Sequence, residues 1–219
     1  MEQIIIVGGG GFGWEVAEYV NQDIKNGLLS DTSLKGILDD QTDQGLRAPI
    51  EWPYLGTISD YCPERNDRLL LAIGNPLIRR KVRDRLAAVN SKFTSYVHSG
   101  VYVADSAKIN EGVIVCAGSI INAGAFLDDF SVINVFCSIG HGAVVGKYSV
   151  LSPYCALNGD AVIGEQCFMG TRATIYPGVS MGDHCTVDSH SYVKMSVEHN
   201  KIITNRGNYT VLSKRIKGH

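Results

Sequence analysis

The chain has 219 residues, with 20 Lys and Arg against 22 Asp and Glu, for a net charge of −2. That balance lacks the basic footprint of a nucleic-acid binder, and a 45% hydrophobic content excludes a disordered chain. Glycine is frequent, at 24 residues, while charged residues make up only 19%, below the roughly 25% of ordinary globular chains. The opening Met1-Glu2-Gln3-Ile4-Ile5-Ile6-Val7-Gly8 has no basic leader and meets glycine after four apolar residues, so it reads as a buried strand and not as a signal peptide. No apolar run approaches membrane-spanning length, and the expectation is a cytoplasmic protein without membrane contact.

Taken in order, a strand over Gln3–Val7 runs into Gly8-Gly9-Gly10-Gly11-Phe12-Gly13. A helix follows, with Trp14, Ala17, Val20, Ile24 and Leu28 at helical spacing. A second strand, Lys35–Leu38, ends in Asp39-Asp40, and a third, Arg68–Ile73, ends in Gly74-Asn75. A second helix from Pro76 to about Val89 carries Arg79, Arg80, Lys81, Arg83 and Arg85. This alternation predicts a small parallel sheet of Rossmann type over residues 1–93, with its crevice at the strand C-termini.

Gly8, Gly10 and Gly13 match GxGxxG after a strand, the pattern that lets backbone approach a diphosphate at a helix N-terminus. Yet only one half-unit is present, and the acidic residue follows Gly13 by 26 positions, later than in dinucleotide sites. NAD is therefore a poor fit, and a nucleotide-diphosphate sugar suits the same crevice better. Glycines that serve only a tight turn and helix packing remain the alternative.

From Val97 to Glu198 the chain divides into seventeen six-residue units without an insertion. Each begins with Ile, Val, Leu or Met, and each fifth residue is Ala, Ser, Cys or Val. A chance run of that kind has a probability on the order of 10⁻¹⁰. Period six fits neither a helix nor an alternating hairpin sheet. It fits a parallel β-helix in which one bulky and one small side chain per unit point inward and three units close an 18-residue coil. Only 13 charged residues fall in these 102, against 29 in the other 117. Cys137, Cys155, Cys167 and Cys185 occupy the small fifth position, so they read as reduced, space-filling core residues, and no Cys/His spacing suggests a metal. Residues 199–219 are read as a tail.

The repeat region resembles the left-handed β-helix of the hexapeptide-repeat acyltransferases. With the glycine loop in front of it, the chain up to about residue 198 resembles the N-acetyltransferases of nucleotide-linked 4-amino-4,6-dideoxy sugars, grouped with sialic acid O-acetyltransferases. The resemblance implies a mixed fold: a Rossmann-like sugar-nucleotide domain, then a left-handed β-helix that binds acetyl-CoA, assembled as a homotrimer. Asn134-Val135-Phe136-Cys137-Ser138-Ile139-Gly140-His141 matches the family's Asn-x₆-His stretch. It implies His141 as the general base for the attacking amine and Asn134 as a positioning group; an imidazole titrates near pH 6.5, where a base is useful. His98, His184, His190 and His199 are read as structural or exposed.

The family usually has an acid directly after this His, where the present chain has Gly142. Because 142 plus 18 is 160, Asp160 stacks above Gly142 and is the candidate to orient His141. A turn cap is the other reading of Asp160. By resemblance Gly10, Phe12, Gly13, Asp39, Asp40, Gly74, Asn75 and Arg79 fall in the acceptor site, and Gly170, Thr171 and Lys194 are candidates against acetyl-CoA. The usual Gly-x-Pro-Ala tail is absent, the chain reading Thr204-Asn205-Arg206-Gly207-Asn208-Tyr209. The function implied is N-acetylation of a nucleotide-linked amino sugar. An O-acetyltransferase acting on a sialic acid or other sugar hydroxyl and a non-catalytic sugar-nucleotide scaffold are the alternatives.

Overall fold

A computed structural model describes residues 1–41 and 52–205. Strand β1 (Glu2–Val7) lies between β2 (Thr32–Leu38) and β3 (Asp67–Leu71), all parallel, in the order β2-β1-β3 of a Rossmann half-unit. The continuous apolar run of β1 follows from burial on both faces. Ile4 and Ile6 face Val16, Ala17 and Val20 of helix α1 (Gly11–Lys25), while Ile5 and Val7 face Val82 and Leu86 of helix α2 (Pro76–Ala88). Asn75 caps α2, its side-chain oxygen accepting from the Leu77 and Ile78 amides, with Pro76 at the first helical position, where its missing N–H costs nothing. Two residues expected on the buried face of the first helix are exposed, Trp14 at its rim and Leu28 beyond its end. The helix stops at Lys25 because the chain turns at Asn26-Gly27, where Gly27 adopts a φ of +73°.

The repeat region forms the expected column. Strands β4 (Tyr96–Val97), β5 (Tyr102–Val103) and β6 (Lys108–Ile109) open three faces, which recur every 18 residues up to β20 (Tyr192–Val193). The register is uniform: Val132 pairs with Val150, Ser138 with Ala156 and Val144 with Val162. The second residue of each pair points inward, and from Val115 to Val193 these are buried together with the small fifth residues. Small donors at the fifth position also tie one coil to the next. Ser119 and Ser149 hydroxyls donate to the Asn134 and Gly164 carbonyls, and the Cys137 and Cys155 thiols to those of Ser152 and Gly170.

The seventeenth unit departs from the pattern. Met181 pairs with Val197, and Thr186 with Ile202, an interval of 16 and not 18. The column therefore continues past the expected boundary at 198 into β21 (Ile202–Ile203), the apolar pair at 202–203 supplying one more rung.

The α/β unit packs along the first face. Tyr96, Ile114, Val132 and Val150 join Ile4, Ile6, Val16 and Trp52 in one apolar cluster. Phe130 and Tyr148, stacked 5.6 Å apart on the edge between third and first faces, join Ile5, Leu69 and Leu86 in another. The buried Asp23 carboxylate accepts from the Tyr96 hydroxyl at 2.7 Å and the Ser99 hydroxyl at 2.9 Å, fixing α1 to the first coil.

Candidate active site

The C-terminal ends of β1 to β3 open a crevice of about 510 Å³ whose walls include Gly10, Phe12, Asp39, Asp40, Gly74 and Asn75. Six of the eight expected acceptor-site residues thus meet in one place. Asp39 accepts from the Gly9 amide at 2.5 Å and the Gln41 amide at 2.7 Å, so its carboxylate shapes the glycine loop. Asp40 accepts from the Ile58 amide at 3.0 Å and from Arg85 at 3.3 Å. Gly13 is not part of the crevice lining: it is buried, and a Cβ there would overlap the Gly8 carbonyl, so the third glycine serves loop–helix packing.

Arg79 differs from expectation more sharply. Its side chain is fully buried, donating to the carbonyls of Leu71, Ile73, Gly112 and Phe130, the last at 2.6 Å. Burial pulls its pKa down to about 9, still charged at neutral pH, and the group clamps the α/β unit to the column instead of facing a diphosphate. The physical reason is α2's placement against the third–first edge, which turns this side chain inward.

His141 stands on the edge between second and third faces, in the turn after β11 (Ser138–Ile139), with its side chain 73% exposed. Asp160 sits one coil above, as the 18-residue stacking requires, with its amide donating to the His141 carbonyl at 2.8 Å. Its carboxylate lies 3.8 Å from His141 Nδ1, and it occupies the space a side chain at Gly142 would need. Gly142 and Asp160 both take the left-handed conformation, φ +64° and +59°, which glycine and aspartate tolerate best. At 3.8 Å and with both groups exposed the pair is an electrostatic neighbour and not a hydrogen bond.

Asn134 does not join His141 within one chain. It lies on the first–second edge, one face of the column away, and its side-chain oxygen accepts from the Val135 amide at 2.7 Å. Gly170 and Thr171 share that edge, Gly170 being buried where a Cβ would meet Ser189 of the next coil. Lys194 is exposed on the edge of His141, three coils above Gly140, roughly 14 Å along the column from three strand spacings of about 4.8 Å. Residues 206–209 of the unusual tail lie outside the described residues.

A second cavity, of about 490 Å³, adjoins the crevice. It lies between the N-terminal turn of α2 and the upper coils and is lined by Gln166, Phe168, His184 and Thr186 with Gly74 to Leu77. His184 is exposed, as expected, and it also lines this cavity. The signal available was the stacking of 166 under 184, but the docking of α2 above them is a tertiary fact. Among the described residues no cluster of His, Cys, Asp or Glu could hold a metal, and no helix is long and apolar enough to cross a membrane.

Comparison with known proteins agrees with this architecture. Residues 3–86 match the family model of the PglD N-terminal domain, and residues 161–194 that of the hexapeptide repeat of succinyl-transferase. Over 123 residues the chain is 33% identical to the UDP-N-acetylbacillosamine N-acetyltransferase of Bacillus subtilis (strain 168). That match takes in 53% of this chain and spans about half, 52%, of the curated relative. The acetyltransferase domain of PglB from Neisseria gonorrhoeae FA1090 superposes with a TM-score of 0.83 at 24% identity, over 94% of this chain and 97% of that one. PerB from Caulobacter crescentus, solved with CoA and GDP-perosamine, superposes with a TM-score of 0.80 at 25% identity, over 94% and 95%. A family model is thus matched in each half of the chain, and one fold is shared with solved acetyltransferase structures over more than nine-tenths of its length.

Proposed function

We propose that the protein transfers acetyl from acetyl-CoA to the amino group of a nucleotide-linked 4-amino-4,6-dideoxy sugar, with His141 as general base. The observation that carries this reading is the His141–Asp160 pair on an open edge of a hexapeptide column that also bears a glycine-looped crevice. Support comes from the relatives: PerB was crystallised with CoA and GDP-perosamine, the PglB domain with acetyl coenzyme A, and the Bacillus subtilis relative is named for the same reaction class.

In this reading the sugar amine attacks the thioester carbon. His141, neutral, takes the amine proton as the C–N bond forms; the C–S bond then breaks, and the imidazolium returns the proton to the departing CoA thiolate. Asp160 stabilises the imidazolium, its 3.8 Å gap closing when the site fills. Direct transfer needs no acetyl-enzyme, because holding amine, thioester and base in one cleft supplies much of the acceleration. Asn134 and backbone amides are assigned to position the reacting groups, and Lys194, exposed on the edge of His141, is assigned to the phosphates of CoA.

The active unit in this reading is a homotrimer. The crevice belongs to the α/β unit on the first face, whereas His141 projects from the opposite edge, so a neighbouring subunit brings the base to the acceptor. Covering by a neighbour would also exclude water from a pair that is about 70% exposed in one chain, which strengthens its electrostatics.

The test is thiol release from acetyl-CoA with a panel of UDP-, dTDP- and GDP-linked 4-amino sugars and their 4-hydroxy counterparts. An amino sugar releases thiol and its hydroxy counterpart does not; His141→Asn lowers kcat by about 10²–10⁴-fold. Absence of release with every amino sugar, or an unaltered His141→Asn enzyme, rejects the reading.

A further inference from the structure

We infer that the cavity beneath the N-terminal turn of α2 seats the acceptor's sugar ring, and that His184, with Thr186, selects its hydroxyl pattern. This rests on the nucleotide-sugar reading above and deepens it.

The two cavities, about 510 and 490 Å³, meet at Gly74 and Asn75, which line both. Each falls in the usual size range of small-ligand sites. Their linings differ in kind. The crevice carries the glycine loop and the carboxylates of Asp39 and Asp40. The second cavity has no Asp, Glu, Lys or Arg in its lining: α2's start contributes Asn75, Pro76 and Leu77, and the column contributes an aromatic ring, a carboxamide, an imidazole and a hydroxyl, from Phe168, Gln166, His184 and Thr186. A diphosphate would find no cation there. A pyranose ring would find an aromatic surface for its C–H face and three groups for its hydroxyls.

A ligand that crosses Gly74-Asn75 therefore changes chemistry as it crosses, from nucleoside in the crevice to sugar ring under α2. The junction sits at the N-terminal end of α2, where the helix dipole favours the negative charge of a bridging diphosphate. The lining is built into the column. Phe168 and Thr186 are outward residues of neighbouring strands on the first face, and Gln166 and His184 are stacked turn residues of the adjoining edge, φ +53° and +57°. Gln166 is only 6% exposed and its amide donates to Glu165 at 3.4 Å, whereas His184 is exposed and free to meet a ligand.

The experiment compares wild type, His184→Ala, His184→Gln and Thr186→Val in two readouts. Calorimetry measures binding of the free nucleoside diphosphates UDP, dTDP and GDP; initial rates measure KM and kcat for the matching nucleotide-linked 4-amino-4,6-dideoxy sugars. The expected result is nucleoside diphosphate affinity within twofold of wild type in every variant. KM for the amino sugar rises about tenfold or more in His184→Ala, is partly restored in His184→Gln, and rises less in Thr186→Val, with kcat nearly kept. An unchanged KM in His184→Ala, or an equal loss of diphosphate and sugar-nucleotide binding, overturns the inference. Failure of the underlying reading looks different: wild type then binds none of the diphosphates or acetylates none of the sugars.

Discussion

Asp160 and Gly142 are best understood together. In one chain the acid beside His141 comes from the next coil, not from the next residue, and the glycine leaves room for it. Asp160→Asn is expected to lower kcat about tenfold or more while leaving KM for acetyl-CoA and the melting temperature within error, because in the proposed mechanism the carboxylate acts on the imidazolium, and from an exposed site it contributes little to stability. Steady-state kinetics with a thermal melt checks this; an unchanged kcat would reduce Asp160 to a turn residue. This pairing was legible in the sequence because coil stacking is arithmetic: once the repeat is 18, residue 160 must stand over 142. The opposite lesson comes from Arg79 and His184. Whether Arg79 faces ligand or carbonyls, and whether His184 faces solvent or a cavity, depends on where α2 lies against the column, and no local pattern in either segment records that docking.

At the scale of elements, the joint between α2 and the column turns on the buried Arg79 guanidinium. Its four carbonyl partners come from both units, Leu71 and Ile73 from one and Gly112 and Phe130 from the other. Arg79→Met would keep the volume and leave those acceptors without a donor, and it is expected to cost about 3 kcal/mol, the order for stranding more than one buried polar group. Urea denaturation of the variant measures the loss; stability equal to wild type would show the charge to be dispensable. The sheet and helices themselves were readable, since a strand buried on both faces is an unbroken apolar run and Asn75-Pro76 is a clear helix start. The column was more readable still up to Val193, because each rung repeats the same inward pair, whereas the shortened closing rung breaks the period and was not legible.

For the whole molecule, the separation of His141 from the crevice gives the proposed assembly a quantitative test. In the proposed trimer two inactive variants should rescue each other, since a complete site would take His141 from one subunit and an intact crevice from its neighbour. His141→Ala co-expressed in equal amounts with a crevice variant such as Gly10→Asp is expected to recover roughly a quarter of wild-type activity, the fraction of interfaces that pair a good base with a good crevice in randomly mixed closed rings. No recovery in a verified mixed oligomer would locate both halves of the site in one chain.

The interval of 16 in the closing rung has a bearing on solubility. A regular stack of identical rungs ends in a row of open amides and carbonyls, a template on which another column could continue. With two residues missing between Val193 and Val197, the last coil is narrower than those below it, and a newcomer built on 18 would find its corners displaced from those it must meet. A taper of this kind is expected to disfavour end-to-end growth of the column, which sedimentation of the purified protein at high concentration checks.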